Sequence, residues 1–208
     1  MLAQFYDLVT QATMELQQFG QNSFELGCST PLGFLGVAVQ DTRTFLVGLQ
    51  NILAIHLRKP PIALNLASPE MIDTPNDFLS AMKGVHRYFF ISVQSAVESA
   101  AQEICENRLI KGLTGEKALR RALRFLPKEE RNQWRQFYEG LKVIRNECAH
   151  PSSGIVQDSD LKKVRDAGLD FLVSGRKTSI NCNKYLPVAK RAHACIAALQ
   201  CSRDLPTD

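Results

Sequence analysis

The chain has 208 residues, 45% hydrophobic and 22% charged, with a formal net charge of +4. That supports one good-sized core, or a core with an appendage, and excludes wholesale disorder. Asp7 and Glu15 interrupt the first apolar run and no basic start precedes it, while the most apolar segment, residues 45 to 57, falls short of the ~20 residues that cross a bilayer. No secretory leader or membrane contact is therefore expected, and the expected location is the cytoplasm.

Residues 2 to 19 carry Leu2, Phe5, Leu8, Val9, Ala12, Leu16 and Phe19 at helical spacing, with Gly20 as a stop. Residues 21 to 36, with Pro31 and several glycines, read as a loop. The spacing predicts a second helix from about Asp41 to Arg58, ended by Pro60 and Pro61. After a loop over residues 60 to 73, Thr74-Pro75-Asn76-Asp77 offers a capping hydroxyl, a proline at the first helical position and an acid at the third. The apolar phase then holds from Phe78 through Val85, Phe89, Val93 and Val97 to Ile104, predicting a long helix that ends near Gly112. A short basic helix is expected over residues 115 to 125. Pro127 opens the next helix, which runs to about His150. Another starts at Asp158-Ser159-Asp160 and ends before Gly175, and residues 186 to 200 form the last. Nothing shows a period of two, so no sheet is expected. The predicted architecture is all-α: a bundle of about four core helices (residues 74 to 208) with additional N-terminal helices (residues 1 to 73).

The six cysteines (28, 105, 148, 182, 195 and 201) form no CxxC pair and are expected as reduced thiols. The spacing of His193, Cys195 and Cys201 matches no closed zinc pattern. No metal site and no cofactor is expected.

Charge is unevenly distributed. Residues 108 to 145 hold eleven basic and four acidic groups, while residues 1 to 107 are net acidic. This asymmetry suggests a local anionic partner, such as a phosphate backbone, and is also compatible with a solvated basic face. On the helix from 128 to 149, Trp134, Phe137, Leu141, Ile144 and Cys148 form an apolar stripe. About 100° around the axis lie Arg131, Arg135, Tyr138, Lys142 and Arg145, again at steps of three and four. Such a stripe can line up phosphate oxygens, and Tyr138 can stack on a base. The stripe leads to RNECAHP, residues 145 to 151. Pro151 disfavours helical geometry at His150, so the helix should end there and free the imidazole to swing back towards Arg145. The bare R-x4-H spacing is weak evidence, and its setting at the end of a core helix is what gives it weight.

In these residues the chain resembles the HEPN family of compact α-helical bundles, many of which are metal-independent ribonucleases with an R-x(4 to 6)-H motif. Arg145, Asn146 and His150 fit that motif. The preceding helix, YFFISVQSAVESAAQEIC, is similar to the first core helix of the family, and Glu98 stands where an acidic residue often supports the site. The resemblance covers roughly residues 74 to 200. Ser152 stands where toxins paired with a minimal nucleotidyltransferase often carry a tyrosine. The resemblance implies RNA as substrate, a homodimer with a composite active site, and a toxin or defence role under an antitoxin or other regulatory protein. Histidine, which titrates near neutrality, suits proton transfer, and arginine offers a permanent planar fork for phosphate oxygens. The rival expectation is a non-catalytic module that binds a nucleotide or a protein. His86, beside Arg87 on the long helix, is a weaker candidate for the same cleft, and His56 and His193 read as core or boundary histidines.

Overall fold

The computed structural model describes residues 2–23, 31–57, 75–149 and 156–202. Among these are seven helices: α1 (Leu2–Ser23), α2 (Pro31–His56), α3 (Pro75–Asn107), α4 (Gly115–Ala122), α5 (Lys128–Ala149), α6 (Asp158–Asp166) and α7 (Tyr185–Cys201). The all-α architecture expected from apolar periodicity is present, and no described helix is long and apolar enough to cross a membrane.

The 33-residue α3 is the hub. It packs against α2, α4, α5 and α7, while α1 lies on α2 and α6 lies on α5. The predicted apolar phase of α3 explains this: Phe89, Phe90, Val93, Val97, Ala100 and Ile104 are all buried. A helix that is apolar over so wide an arc can only be satisfied by neighbours on several sides. α1 contributes Val9 and Leu16 and α2 contributes Leu35, Leu46 and Leu53 to the same continuous core as Phe137, Tyr185 and Ile196.

Boundaries differ from expectation at glycine and proline. α1 runs through Gly20 to Ser23, and α2 begins at Pro31 inside the expected loop. Proline serves here as the first helical residue, whose N–H needs no partner. Gly33 and Gly36 then sit inside the helix, each at a propensity cost of about 1 kcal/mol relative to alanine, offset by burial of Leu35, Ala38 and Val39.

α3 stops at Asn107, before Gly112, and without a glycine. Leu109 adopts φ 60°, its N–H donates to Glu106 O at 2.9 Å, and Ile110 N–H donates to Cys105 O at 2.9 Å. This pair of bonds is the Schellman arrangement, which satisfies the last carbonyls of the helix. The same pair closes α6 at Gly168 (φ 62°), where Gly168 N–H donates to Arg165 O and Leu169 N–H to Val164 O. α6 therefore ends well short of Gly175.

Gly175 has a different role. With φ 59° it takes the first of two turn positions between Val173–Ser174 and Lys177–Thr178, which pair antiparallel. Glycine at that position is what a two-residue hairpin of the II′ type requires. This two-rung ladder was not expected, because two residues per strand are too few to show a period of two.

Candidate functional site

The site is built on the facing sides of α3 and α5, which run antiparallel. Tyr138 meets Glu98, and two turns further along α5 Arg145 meets Gln94. The Tyr138 hydroxyl donates to Glu98 Oε1 at 2.6 Å. Gln94 Nε2 donates to the same oxygen at 2.7 Å and to the Tyr138 hydroxyl at 3.2 Å. Gln94 Oε1 accepts from Arg145 Nε at 3.0 Å. The amide thus relays between carboxylate and guanidinium, and its orientation is fixed by having an acceptor on one side and a donor on the other.

Burial, reinforced by the hydrogen bond to Glu98, raises the Tyr138 pKa well above its ordinary value. The phenol therefore remains a proton donor across the accessible pH range.

Arg145 is half-buried on the penultimate turn of α5. Its Nε is committed to Gln94, and no carboxylate among the described residues forms an ion pair with its terminal nitrogens. A guanidinium gripped by one edge keeps its other donors for a planar, two-point contact with an oxyanion. Asn146 follows, also half-buried. His150, Pro151 and Ser152 lie outside the described residues, and so does the expected approach of the imidazole to Arg145. Glu98, the supporting acid the resemblance implies, reaches Arg145 through Gln94. Gln94 was not singled out by sequence reasoning. Its signal was a polar residue in the apolar phase of α3, one turn before Glu98, where only a bonded side chain can be tolerated.

The remaining stripe residues share one face of α5 as the spacing predicted, but that face points largely into the protein. Tyr138 is only 3% exposed, so the stacking on a base expected for it is not open to it in this position. Arg131 donates from Nη2 to Arg124 O and Leu126 O, both at 3.1 Å, capping the turn before α5. Lys142 Nζ binds Glu116 Oε2 on α4 at 2.6 Å, and Glu116 also takes Arg120. Its carboxyl is held below its usual range chiefly by the Lys142 hydrogen bond, with Arg120 adding to it. Only Arg135 is exposed, at a shallow depression it shares with Glu139, Lys163 and Asp166. Two helices cover the stripe: α3 brings Glu98 and Gln94 to Tyr138, and α4 brings Glu116 to Lys142. Gly115 permits the turn into α4 with φ 53°, and a Cβ there would lie 3.4 Å from Glu98 Oε2.

Among the weaker candidates, His86 is partly buried, with Nδ1 2.5 Å from the Tyr185 hydroxyl. Its pKa is lowered to about 4 by burial, so the ring is neutral at pH 7. His193 packs edge-on against Phe19, the boundary role expected of it. The side chain of His56 lies outside the described residues.

No protein-family model, no curated protein and no solved structure matches this chain.

Proposed function

We propose that the protein is a metal-independent endoribonuclease of the HEPN type. The observation that carries the reading is the Arg145 guanidinium, held by Gln94 through Nε with its terminal donors uncommitted among the described residues. A fixed cation with free, coplanar N–H groups suits the growing negative charge of a phosphoryl transfer. The 2′-hydroxyl of a ribose attacks the adjacent phosphorus as its proton passes to a base. The P–O5′ bond breaks, leaving a 2′,3′-cyclic phosphate and a 5′-hydroxyl that takes up a proton. His150 is assigned the proton transfer and Asn146 its orientation or a phosphate oxygen. Glu98 and Tyr138 act as positioning residues through Gln94. One histidine cannot readily serve both sides of an in-line displacement, so two protomers pairing their Arg145 and His150 sets complete the site. A toxin or defence role, with an antitoxin or other regulator, follows from the same reading.

The engagement of Arg131, Tyr138 and Lys142 inside the fold favours a second reading, a non-catalytic nucleotide- or protein-binding module. The two readings separate in one experiment. Purified protein is incubated with mixed RNA in EDTA beside His150→Ala and Arg145→Ala, with circular dichroism confirming unchanged helix content. The nuclease reading expects wild-type cleavage to cyclic-phosphate ends and a fall of roughly 10²–10⁴ in rate for His150→Ala. Intact RNA with wild type, or equal cleavage by the histidine variant, removes the mechanism.

A further inference from the structure

Gln94, which holds Arg145, shares its face of α3 with two cations. Lys83, Arg87 and Gln94 occupy positions i, i+4 and i+11, which at ~100° per residue fall within about 40° of one another. Arg87 lies about 10 Å and Lys83 about 16 Å before Gln94 along the helix axis. The row that grips the guanidinium therefore continues as positive charge towards the start of α3. α5 runs antiparallel, so its last turn follows the same seam. Glu147 and Cys148, just past Arg145, line one cavity together with Lys83 and Arg87.

Both cations are exposed, and no ion pair among the described residues includes either. With His86 neutral, they are the only charged side chains between Asp77 and Glu98. Glu98 is engaged by Tyr138 and Gln94. Glu147 is half-buried, with Oε2 sealed from solvent, and forms an ion pair with neither cation. On α5, by contrast, Lys142 is neutralised by Glu116 and Arg131 caps a turn. The open positive charge next to Arg145 thus lies on α3. The cavity between these cations and α1 measures about 560 Å³ and has apolar walls from Phe5, Leu8, Met82 and Ile180. That is room for a small planar group, and apolar walls accept the face of any base without reading its edges.

We infer that Lys83 and Arg87 form a phosphate track that carries a single RNA strand away from the Arg145 site, with an unstacked base entering the apolar cavity beside them. The two cations stand one helical turn apart, about 6 Å along the axis, so each can take its own phosphate. A base inside a duplex is held in its stack and cannot enter the cavity, so the track prefers single strands. The choice of RNA rests on the ribonuclease reading, whereas the capacity for an anionic strand does not.

The test is fluorescence anisotropy of a labelled single-stranded RNA titrated with the full chain in EDTA, at about 50 and 200 mM salt. A His150→Ala background keeps the RNA intact. Lys83→Gln combined with Arg87→Gln should weaken binding at least tenfold at the lower salt. It should also flatten the salt dependence by about 1.4, from two contacts at about 0.7 each. Gly84→Glu sets an acid between the cations, where an added Cβ meets nothing within 4 Å, and it should weaken binding at least tenfold. Glutamate is the better helix former, so this loss cannot come from unfolding. Arg165→Gln with Lys190→Gln removes the same charge from α6 and α7 and should keep the parent affinity. Duplex RNA of equal length should bind at least fivefold more weakly. Parent affinity in the Lys83 and Arg87 variant, an equal loss in the α6 and α7 variant, duplex bound as tightly as single strand, or no RNA binding at all would overturn the track. In chains that keep His150, the Lys83 and Arg87 variant should lose cleavage through a higher KM. Cleavage that ignores both cations removes the track and leaves the nuclease. Binding that needs both cations, with RNA left uncut by the wild-type chain, removes the nuclease and leaves the track.

Discussion

Replacing Tyr138 by phenylalanine removes one oxygen and leaves the ring packing in place. That oxygen donates to Glu98 Oε1 at 2.6 Å and accepts from Gln94 Nε2 at 3.2 Å. A hydrogen bond to a charged group contributes about 1.5–3 kcal/mol net. The second bond adds little, because Gln94 Nε2 keeps Glu98 as its acceptor at 2.7 Å. Glu98 is half-buried, so water replaces part of the lost donor and the lower end applies, about 1–2 kcal/mol. For a chain of this length that corresponds to a drop in Tm of about 3–6 °C. The assay is urea unfolding followed by the fluorescence of Trp134, the single tryptophan, for Tyr138→Phe, Glu98→Gln and the double variant. Tyr138→Phe removes the donor and Glu98→Gln removes the charge of the acceptor, so the double should lose less than the two singles together, with a coupling of about 1 kcal/mol. Strictly additive losses, or a Tyr138→Phe protein as stable as wild type, would refute the claim that this hydroxyl–carboxylate contact ties α5 to α3.

Three further outcomes are expected. Gly140→Ala places a Cβ 2.3 Å from Ala167 Cβ and 3.1 Å from Lys163 O, so overpacking of about 1–3 kcal/mol outweighs the helix-propensity gain of about 1 kcal/mol, and Ala167→Gly in the same chain should restore stability on urea titration. Leu109→Gly should stabilise by about 1 kcal/mol, because the left-handed residue closing α3 is a leucine 83% exposed, with little packing to lose; an unchanged or lower urea midpoint would contradict this. His86 has a folded pKa of about 4 against 6.5 unfolded, so the unfolded chain binds the extra proton first and stability is lost as pH falls from 6.5 towards 4. Unfolding free energies from urea titration at pH 7.5 and 5 should differ by about 2 kcal/mol from this residue alone, and His86→Gln should remove that share.

The sequence by itself determined what periodicity and local stereochemistry control. The apolar phases of α3 and α5, the proline start of α3 and the shared face of Arg131, Tyr138, Lys142 and Arg145 were legible, because they depend only on 3.6 residues per turn and on a ring that lacks an N–H. Glycine and proline misled at Gly20, Pro31 and Gly112, since either residue can sit inside, start or stop a helix according to what it packs against. What covers a helix face was decided only by the tertiary structure. α4 and α3 bring Glu116, Glu98 and Gln94 to the basic stripe from 26 to 51 residues away in the chain, burying Tyr138 and tying Lys142, while Arg145 keeps open donors. The cavity at the end of α5 likewise gathers Phe5, His86, Glu147 and Asn181. No spacing along the sequence encodes such a meeting, because it depends on how whole helices dock once their apolar faces are buried together.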